Sequence, residues 1–371
     1  LSQSPVAELA APPAAFAFDR SLQSARAALG AVWWGAAGVA ARAIARPTAA
    51  APADFAPASA PAPRGFIRNA WLEAFEKDAA DVARGLYPAM PASSAGPFPA
   101  WRETADFLAD ARTVEARRRR RGALEVRDRA PEGPAYPAYY RQNFHFQTGG
   151  WFTEDSARRY ETQVEALFAG AAGPMRRRAL ALLARAWRGR DQRGLALVDL
   201  ACGAGAFLGD LGRAFPRARL MGVDLSLPYL AEARRRFGAQ ALVQAKAERL
   251  PFSDNSLDAV TCVYLFHELP PRYRPVVAAE IARVLKPGGL LAFADSLQPS
   301  DEPRLARLLE AFPAYFHEPF YADYCATDLT ALFGEAGLVQ RDRDQAFLTK
   351  AVLYEKSGTS ADTPLAPGSA A

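Results

Sequence analysis

The feature that most constrains this chain is an alternation that begins at Gly194. Short apolar runs, LALVDLA, ARLMGVDLS, ALVQAKAE, LDAVTCVYLF and GLLAFADS, are separated by segments of amphipathic helical pattern. Strands written as near-continuous apolar runs are buried on both faces, so the alternation predicts an α/β fold with a parallel sheet covered by helices. Its boundaries have local causes. In PVVAAEIARVLKPGGLLAFADS the helical pattern stops at Lys286, whose charge suits a helix C-terminus, and Pro287, Gly288 and Gly289 force a turn into the next strand. Farther on, PRLARLLEAF and ATDLTALFGEAG read as helices, and LVQRDRDQAFL and KAVLYEK as a closing hairpin.

With 371 residues, half of them hydrophobic, the chain has material for one or two packed domains. Residues 1–64, rich in alanine and proline and poor in acids, predict a transit-like or linker segment, and with it residence in a chloroplast, the mitochondrion or cytoplasm being the alternatives. Inside it, Ala27–Ala41 is uncharged for only 15 residues. A spanning helix needs roughly 20, so the expectation is no transmembrane span, and either a surface-attached or partner-binding helix or an alanine-rich tail. Residues 65–136 predict a helical extension, 137–356 the α/β domain, and 357–371 a disordered tail. The net charge of +5 is modest, and the run Arg117–Arg121 reads as a solvated helix face, so no nucleic-acid partner is expected. Three cysteines without a C-x-x-C pair fit neither a disulfide framework nor a metal site.

The stretch LVDLACGAGAFLGDL, Leu197–Leu211, is a strand, a glycine turn and the start of a helix, an arrangement that aims backbone N–H groups and a positive helix end at a ligand. A dinucleotide fingerprint would need a glycine where Leu208 stands, and Gly209 misses by one residue. Asp199 ends the first strand and Asp224 the second, where a carboxylate can accept both hydroxyl hydrogens of a ribose.

The ordered set VDLACGAG, GVDLS, AERLPFSDNSLDAV and EIARVLKPGG resembles the class I S-adenosylmethionine-dependent methyltransferases, in particular the subgroup around the ubiquinone and menaquinone biosynthesis enzymes. The resemblance covers residues 160–356 and implies a Rossmann-like, seven-stranded sheet with helices on both faces and an antiparallel last strand. It implies S-adenosylmethionine as cofactor: Asp199, Ala201, Cys202, Gly203 and Gly205 around its methionine part, Asp224 and Leu225 at the ribose, Ala247 and Glu248 at the adenine, and Val263 and Tyr264 as the floor beneath the methyl group. Two positions depart from the family. Ala201 replaces the first glycine, which fits a backbone of negative φ. Lys246 stands where many members carry an aspartate that bonds the adenine amino group, leaving adenine to backbone and apolar contact or the loop in a different position. Cys202 and Cys262 read as inert core residues, and Asp254 and Asp258 as turn and cap groups.

Methyl transfer to oxygen or carbon also needs a proton removed. His267, in YLFHELP after the fourth strand, is the first candidate base, Glu268 its alternative, and His145 a third. Tyr139–Trp151, with Tyr140, Gln147 and the Gly149–Gly150 pair, is expected to form a lid or substrate wall, and the loop carrying His317, Glu318 and Tyr321 the opposite wall. Aromatic walls point to a flat or apolar small molecule, a quinone, phenol or isoprenoid-linked ring. The competing readings are a catalytically inactive binding or assembly protein and, more weakly, an RNA methyltransferase, whose N-P-P-Y or Pro-Cys motif is absent.

Overall fold

The computed structural model describes residues 14–45, 56–91, 97–127, 136–238 and 241–358. The tail expected at residues 357–371 falls outside them from residue 359 onward. Five helices precede the sheet: α1 (Ala14–Ala45), α2 (Phe66–Ala83), α3 (Pro97–Arg120), α4 (Glu154–Leu167) and α5 (Ala172–Ala186). Then follow β1 (Ala196–Leu200), α6 (Ala206–Ala214), β2 (Arg219–Asp224), α7 (Leu227–Phe237), β3 (Ala241–Gln244), β4 (Leu257–Val263), α8 (Arg274–Val284) and β5 (Leu285–Ser296). Helices α9 (Ala306–Tyr315), α10 (Tyr321–Ala326) and α11 (Leu329–Glu335) lead to the hairpin β6 (Leu338–Ala346) and β7 (Thr349–Lys356).

The seven strands lie in the order β3-β2-β1-β4-β5-β7-β6, and β7 runs antiparallel to both its neighbours. Alternate residues of each strand face opposite layers. Val198, Val260 and Leu291 join Ile281, Phe266 and Phe333 on one side; Leu197, Ala259 and Ala292 join Leu183, Phe207 and Leu211 on the other. The chain reverses its direction of travel across the sheet between β1 and β4, which opens a crevice at the carboxyl ends of these strands.

Helix α8 ends at Val284, two residues before the expected stop, because Leu285 is already extended (φ −69°, ψ 138°). Lys286 therefore caps nothing. Its ammonium pairs with Asp258 at 2.8 Å, and Asp258 also accepts the N–H of Ala196. Asp258 is thus a clamp between β1, β4 and the start of β5 and no turn or cap group, while Asp254 accepts from Arg283.

Within the stretch 1–64, which the sequence predicts to be a transit-like or linker segment, the described residues 14–45 form a helix packed on the rest of the protein. Helix α1 packs on α2, α3 and α4. Its Gln23 is buried, donates to Asp78 Oδ2 and accepts the N–H of Met90 at 2.8 Å. The span Asp19–Ala45, at 27 residues, is long and apolar enough to cross a membrane by length and composition alone, where the uncharged core read as too short. The arginine run also differs from expectation. Arg117 is buried, held by Glu125 and by the carbonyl of Phe146 at 2.8 Å, and Arg118 and Arg119 both pair with Glu115. Arg119, Arg120 and Arg121 stay exposed, as a solvated face expects, so the departure is confined to Arg117 and, in part, Arg118.

Three successive arginines on α5 join the extension to the sheet domain. Arg177 grips Asp78 of α2 at 2.7 and 2.8 Å and reaches Asp210 of α6 at 3.1 Å, while Arg178 meets Asp81 at 2.7 Å and Tyr87 at 3.1 Å. Burial by itself would raise the Asp78 pKa, but Arg177 and Arg178 hold it below the usual carboxylate value. Removing one member of such a buried pair leaves an uncompensated charge. Asp78→Ala should therefore cost about 3–5 kcal/mol in urea unfolding. Breaking the exposed Arg341–Glu355 pair (3.0 Å) should cost less than about 1 kcal/mol in the same assay.

Candidate active site

The crevice is built by the turns that follow β1, β2 and β4. In the first, Ala201, Gly203 and Gly205 all have positive φ, 58°, 53° and 84°. The negative φ expected at Ala201 is therefore wrong: its methyl group sits in a conformation that costs an L-residue roughly 1 kcal/mol. Gly205 does not line the crevice as expected. A Cβ there would stand 2.9 Å from both Ala233 Cβ and Phe237 Cδ2, so its role is to let α6 approach α7. Gly209 does the same, since its Cβ would come 2.3 Å from Phe237.

Two bonds tie the turn to β2, and a third closes the turn that follows β2. Cys202 N–H donates to the Val223 carbonyl, Gly203 N–H to Asp224 Oδ2 and Ser226 N–H to Asp224 Oδ1, the last two at 2.8 Å. Each Asp224 oxygen keeps a lone pair for a further donor. Burial raises the Asp224 pKa to about 6 against the lowering effect of these N–H groups. Asp199 is buried deeper: Thr261 donates to its Oδ1 at 2.7 Å, but Oδ2 has no hydrogen-bond partner among the described residues, and burial pushes the carboxyl to about 7. Glu248, likewise, takes the Tyr139 hydroxyl on Oε1 at 2.7 Å and leaves a buried Oε2 without a partner.

Ala201, Cys202, Leu225, Ala247, Val263 and Tyr264 join Asp199, Gly203, Asp224 and Glu248 on the crevice wall, as the sequence predicts. Tyr264, like Ala201, has positive φ (57°), and its hydroxyl is anchored on Thr349. Lys246 is not on that wall, but Glu248 two residues later puts a free carboxylate oxygen there. The chain thus has an acceptor where backbone and apolar contact alone were expected. The Cys202 and Cys262 thiols are pushed up by burial, in keeping with inert core residues.

Tyr139, Tyr140, Phe144 and Trp151 of the expected lid do face the crevice. Gln147 does not: buried, its amide donates to the Tyr229 hydroxyl at 2.6 Å and also contacts Ser156, so it fixes the lid and is not free for substrate. His317 points away from the crevice and bonds Gln142 at 2.6 Å, and Tyr321 is buried with its hydroxyl on Ser296 at 2.6 Å. Both are corrections to the expected substrate wall. Tyr160 and Glu161 of α4 and Arg176 of α5 replace them. These were missed because helix periodicity gives no sign that a segment ahead of the sheet will fold back over it.

The candidate bases separate. His267 is buried, off the crevice wall, with Nδ1 2.6 Å from Asp295. Burial pulls its pKa down, yet Asp295 holds it up at about 9, so it is charged at neutral pH and occupied as a structural ion pair. Glu268 does line the crevice. Its Oε1 lies 3.5 Å from His145 Nε2, which is 2.8 Å from Glu318 Oε1. Burial pulls the His145 pKa down, and Glu318 and Glu268 together hold it at about 10; burial pushes Glu268 up. Beside Asp199 and Asp224, the crevice therefore presents Glu268 as a further carboxyl of raised basicity, and this one is backed by an imidazolium. No cluster of three His, Cys, Asp or Glu suited to a metal occurs among the described residues.

Residues 198–293 match the methyltransferase domain family. The chain is 34% identical over 162 residues to a ubiquinone/menaquinone biosynthesis C-methyltransferase of Desulfotalea psychrophila, covering 38% of this chain and 65% of that one. It is 37% identical over 125 residues to a fatty-acid O-methyltransferase of Mycolicibacterium smegmatis, covering 33% and 45%. It is 33% identical over 179 residues to a demethylmenaquinone methyltransferase of Beutenbergia cavernae, covering 48% and 65%. The chain thus spans 45–65% of the length of these curated relatives.

The buried Asp199 carboxyl supplies a test that needs no substrate. A carboxyl whose folded pKa lies above its unfolded one holds its proton longer in the native state, so stability is lost as pH rises from about 4 toward 7. Asp199→Asn removes that loss. The variant should match the parent near pH 4 and exceed it by about 4 kcal/mol at pH 8 in thermal unfolding without ligand.

Proposed function

Because this chain carries a class I S-adenosylmethionine-dependent methyltransferase domain, we propose that it transfers a methyl group to an oxygen or carbon of a small apolar or aromatic metabolite, a quinone, phenol or isoprenoid-linked ring. The observation that carries this reading is the pair of buried, unpartnered carboxylate oxygens in one crevice, Asp199 Oδ2 and Glu248 Oε2. A buried acceptor without a donor costs stability unless a ligand supplies one. Asp199 suits the ammonium of the cofactor's methionine part, and Glu248 the adenine amino group, the acceptor that Lys246 cannot be. Asp224 retains a lone pair on each oxygen for the ribose hydroxyls. When bound, S-adenosylmethionine supplies a sulfonium methyl carbon open to in-line attack.

The remaining work belongs to the chain. Val263 and Tyr264 form the floor, and the aromatic lid keeps water from the reacting atoms. Glu268 would accept the hydroxyl proton of the substrate as the substrate oxygen bonds the methyl carbon, the carbon–sulfur electron pair leaving with the sulfur as a neutral thioether. His145, positioned by Glu318, steadies the charge of that carboxylate. Tyr140, Phe144, Trp151 and Tyr160 suit a ring substrate, a class consistent with the quinone-directed relatives. The pairing of Arg117–Arg119 within the chain counts against an RNA substrate. Residence in a chloroplast stays part of this proposal; a fluorescent fusion of the native chain that remains cytosolic overturns it.

Calorimetric titration with S-adenosylmethionine and with its demethylated product should give micromolar binding that Asp224→Ala abolishes. A folded protein that binds neither would instead favour the inactive binding-protein reading. Glu268→Gln should leave that affinity intact and lower the rate of methyl transfer to a phenol or quinol by about a hundredfold or more.

A further inference from the structure

Helix α1 wears its polarity inside out. Two of its polar groups turn toward the protein, Gln23 onto Asp78 and the Met90 N–H, and Arg26 onto the carbonyls of Ala89 and Met90 at 3.3 and 3.4 Å. Its outer face carries Leu29, Val32 and Val39, 72%, 74% and 60% exposed, together with Trp33 at 38%. These recur at helical spacing and form one stripe. Between Arg20 and Arg42 every exposed side chain of the helix is uncharged. Trp101 of α3, 65% exposed, extends the patch, its ring 6.1 Å from that of Trp33. The exposed charged side chains described on α1 and on α3 as far as residue 112 are Arg20, Arg42, Arg102 and Arg112 against Asp106.

We propose that this face of α1 is a docking surface for an anionic lipid bilayer, on which the helix lies parallel to the membrane plane. An apolar stripe, two tryptophans and a cationic rim are the three elements that hold an interfacial helix at the boundary of headgroups and acyl chains. The inward face decides between lying and spanning. Insertion would strip Gln23 and Arg26 of their protein partners and carry them into hydrocarbon. The rim decides between a bilayer and a second copy of the chain. Two such faces packed together would set like-charged arginines around the same apolar contact, whereas an anionic surface neutralises them. The proposal does not rest on the substrate assignment, although a ring substrate dissolved in the bilayer would meet the enzyme at this surface.

Co-sedimentation of the full chain with vesicles tests it. The chain should bind vesicles of equimolar phosphatidylcholine and phosphatidylglycerol, with a blue shift in tryptophan emission. It should bind pure phosphatidylcholine about tenfold more weakly. The double substitution Leu29→Glu/Val32→Glu should lower binding to the anionic vesicles at least about tenfold while circular dichroism and S-adenosylmethionine affinity stay unchanged. Trp101→Ala, at a position open to solvent on the neighbouring helix, should weaken it severalfold and gives a second readout if the double variant fails to fold. Failure to bind either vesicle overturns the proposal, as does equal binding to both. So does a concentration-dependent dimer in light scattering that the double variant dissolves, which would make a second copy the occupant.

Discussion

The burial of three successive arginines on α5 is the constraint on which the rest of this structure depends. Arg176, Arg177 and Arg178 lie on the helix that covers one face of the sheet, and none can stay there without carboxylates brought to it. Asp78 and Asp81 come from the N-terminal extension, Asp210 from the helix after the glycine turn, and Glu161 and Glu165 from α4. Neutralising this charge therefore fixes α2 and α4 against α5. It also explains why α1 is part of the body of the protein: Gln23 shares Asp78 with Arg177 and Tyr87.

The same arrangement reaches the crevice. Arg176 and Glu161 are at once members of the ionic layer and lining of the candidate active site. The crevice itself concentrates strain and unmet polarity. Ala201 and Tyr264 hold positive φ at the ends of adjacent strands, and Asp199 and Glu248 keep one buried oxygen each without a donor. A fold stabilised elsewhere by buried pairs can carry such costs at a site that a ligand completes.

The sheet was legible because its signals are local. A five-residue run such as β1, apolar but for Asp199 and closed by a glycine turn, has few alternatives, and the run order carries the strand order through the resemblance. The crevice residues contributed by strand ends were legible for the same reason: Asp199, Asp224, Glu248 and Tyr264 follow their strands at fixed offsets. The substrate walls were not. His317, Tyr321 and Gln147 looked available in an aromatic stretch, but whether a polar side chain faces a cavity or a neighbour is set by packing between distant segments. The placement of His267 was not legible either, since its pairing with Asp295 joins residues from two different strand ends.

The sequence by itself determined the alternating α/β order, the glycine turn, the acids that end the strands and the closing hairpin, because each follows from short-range periodicity and backbone freedom. Only the tertiary structure decided that the alanine-rich residues 14–45 become a packed helix with an exposed apolar stripe, that Arg117 is pinned to Phe146 and Thr148, and that Glu268 faces the crevice while His267 does not. Those outcomes turn on which buried charge finds which partner across long stretches of chain, and no local pattern encodes that pairing.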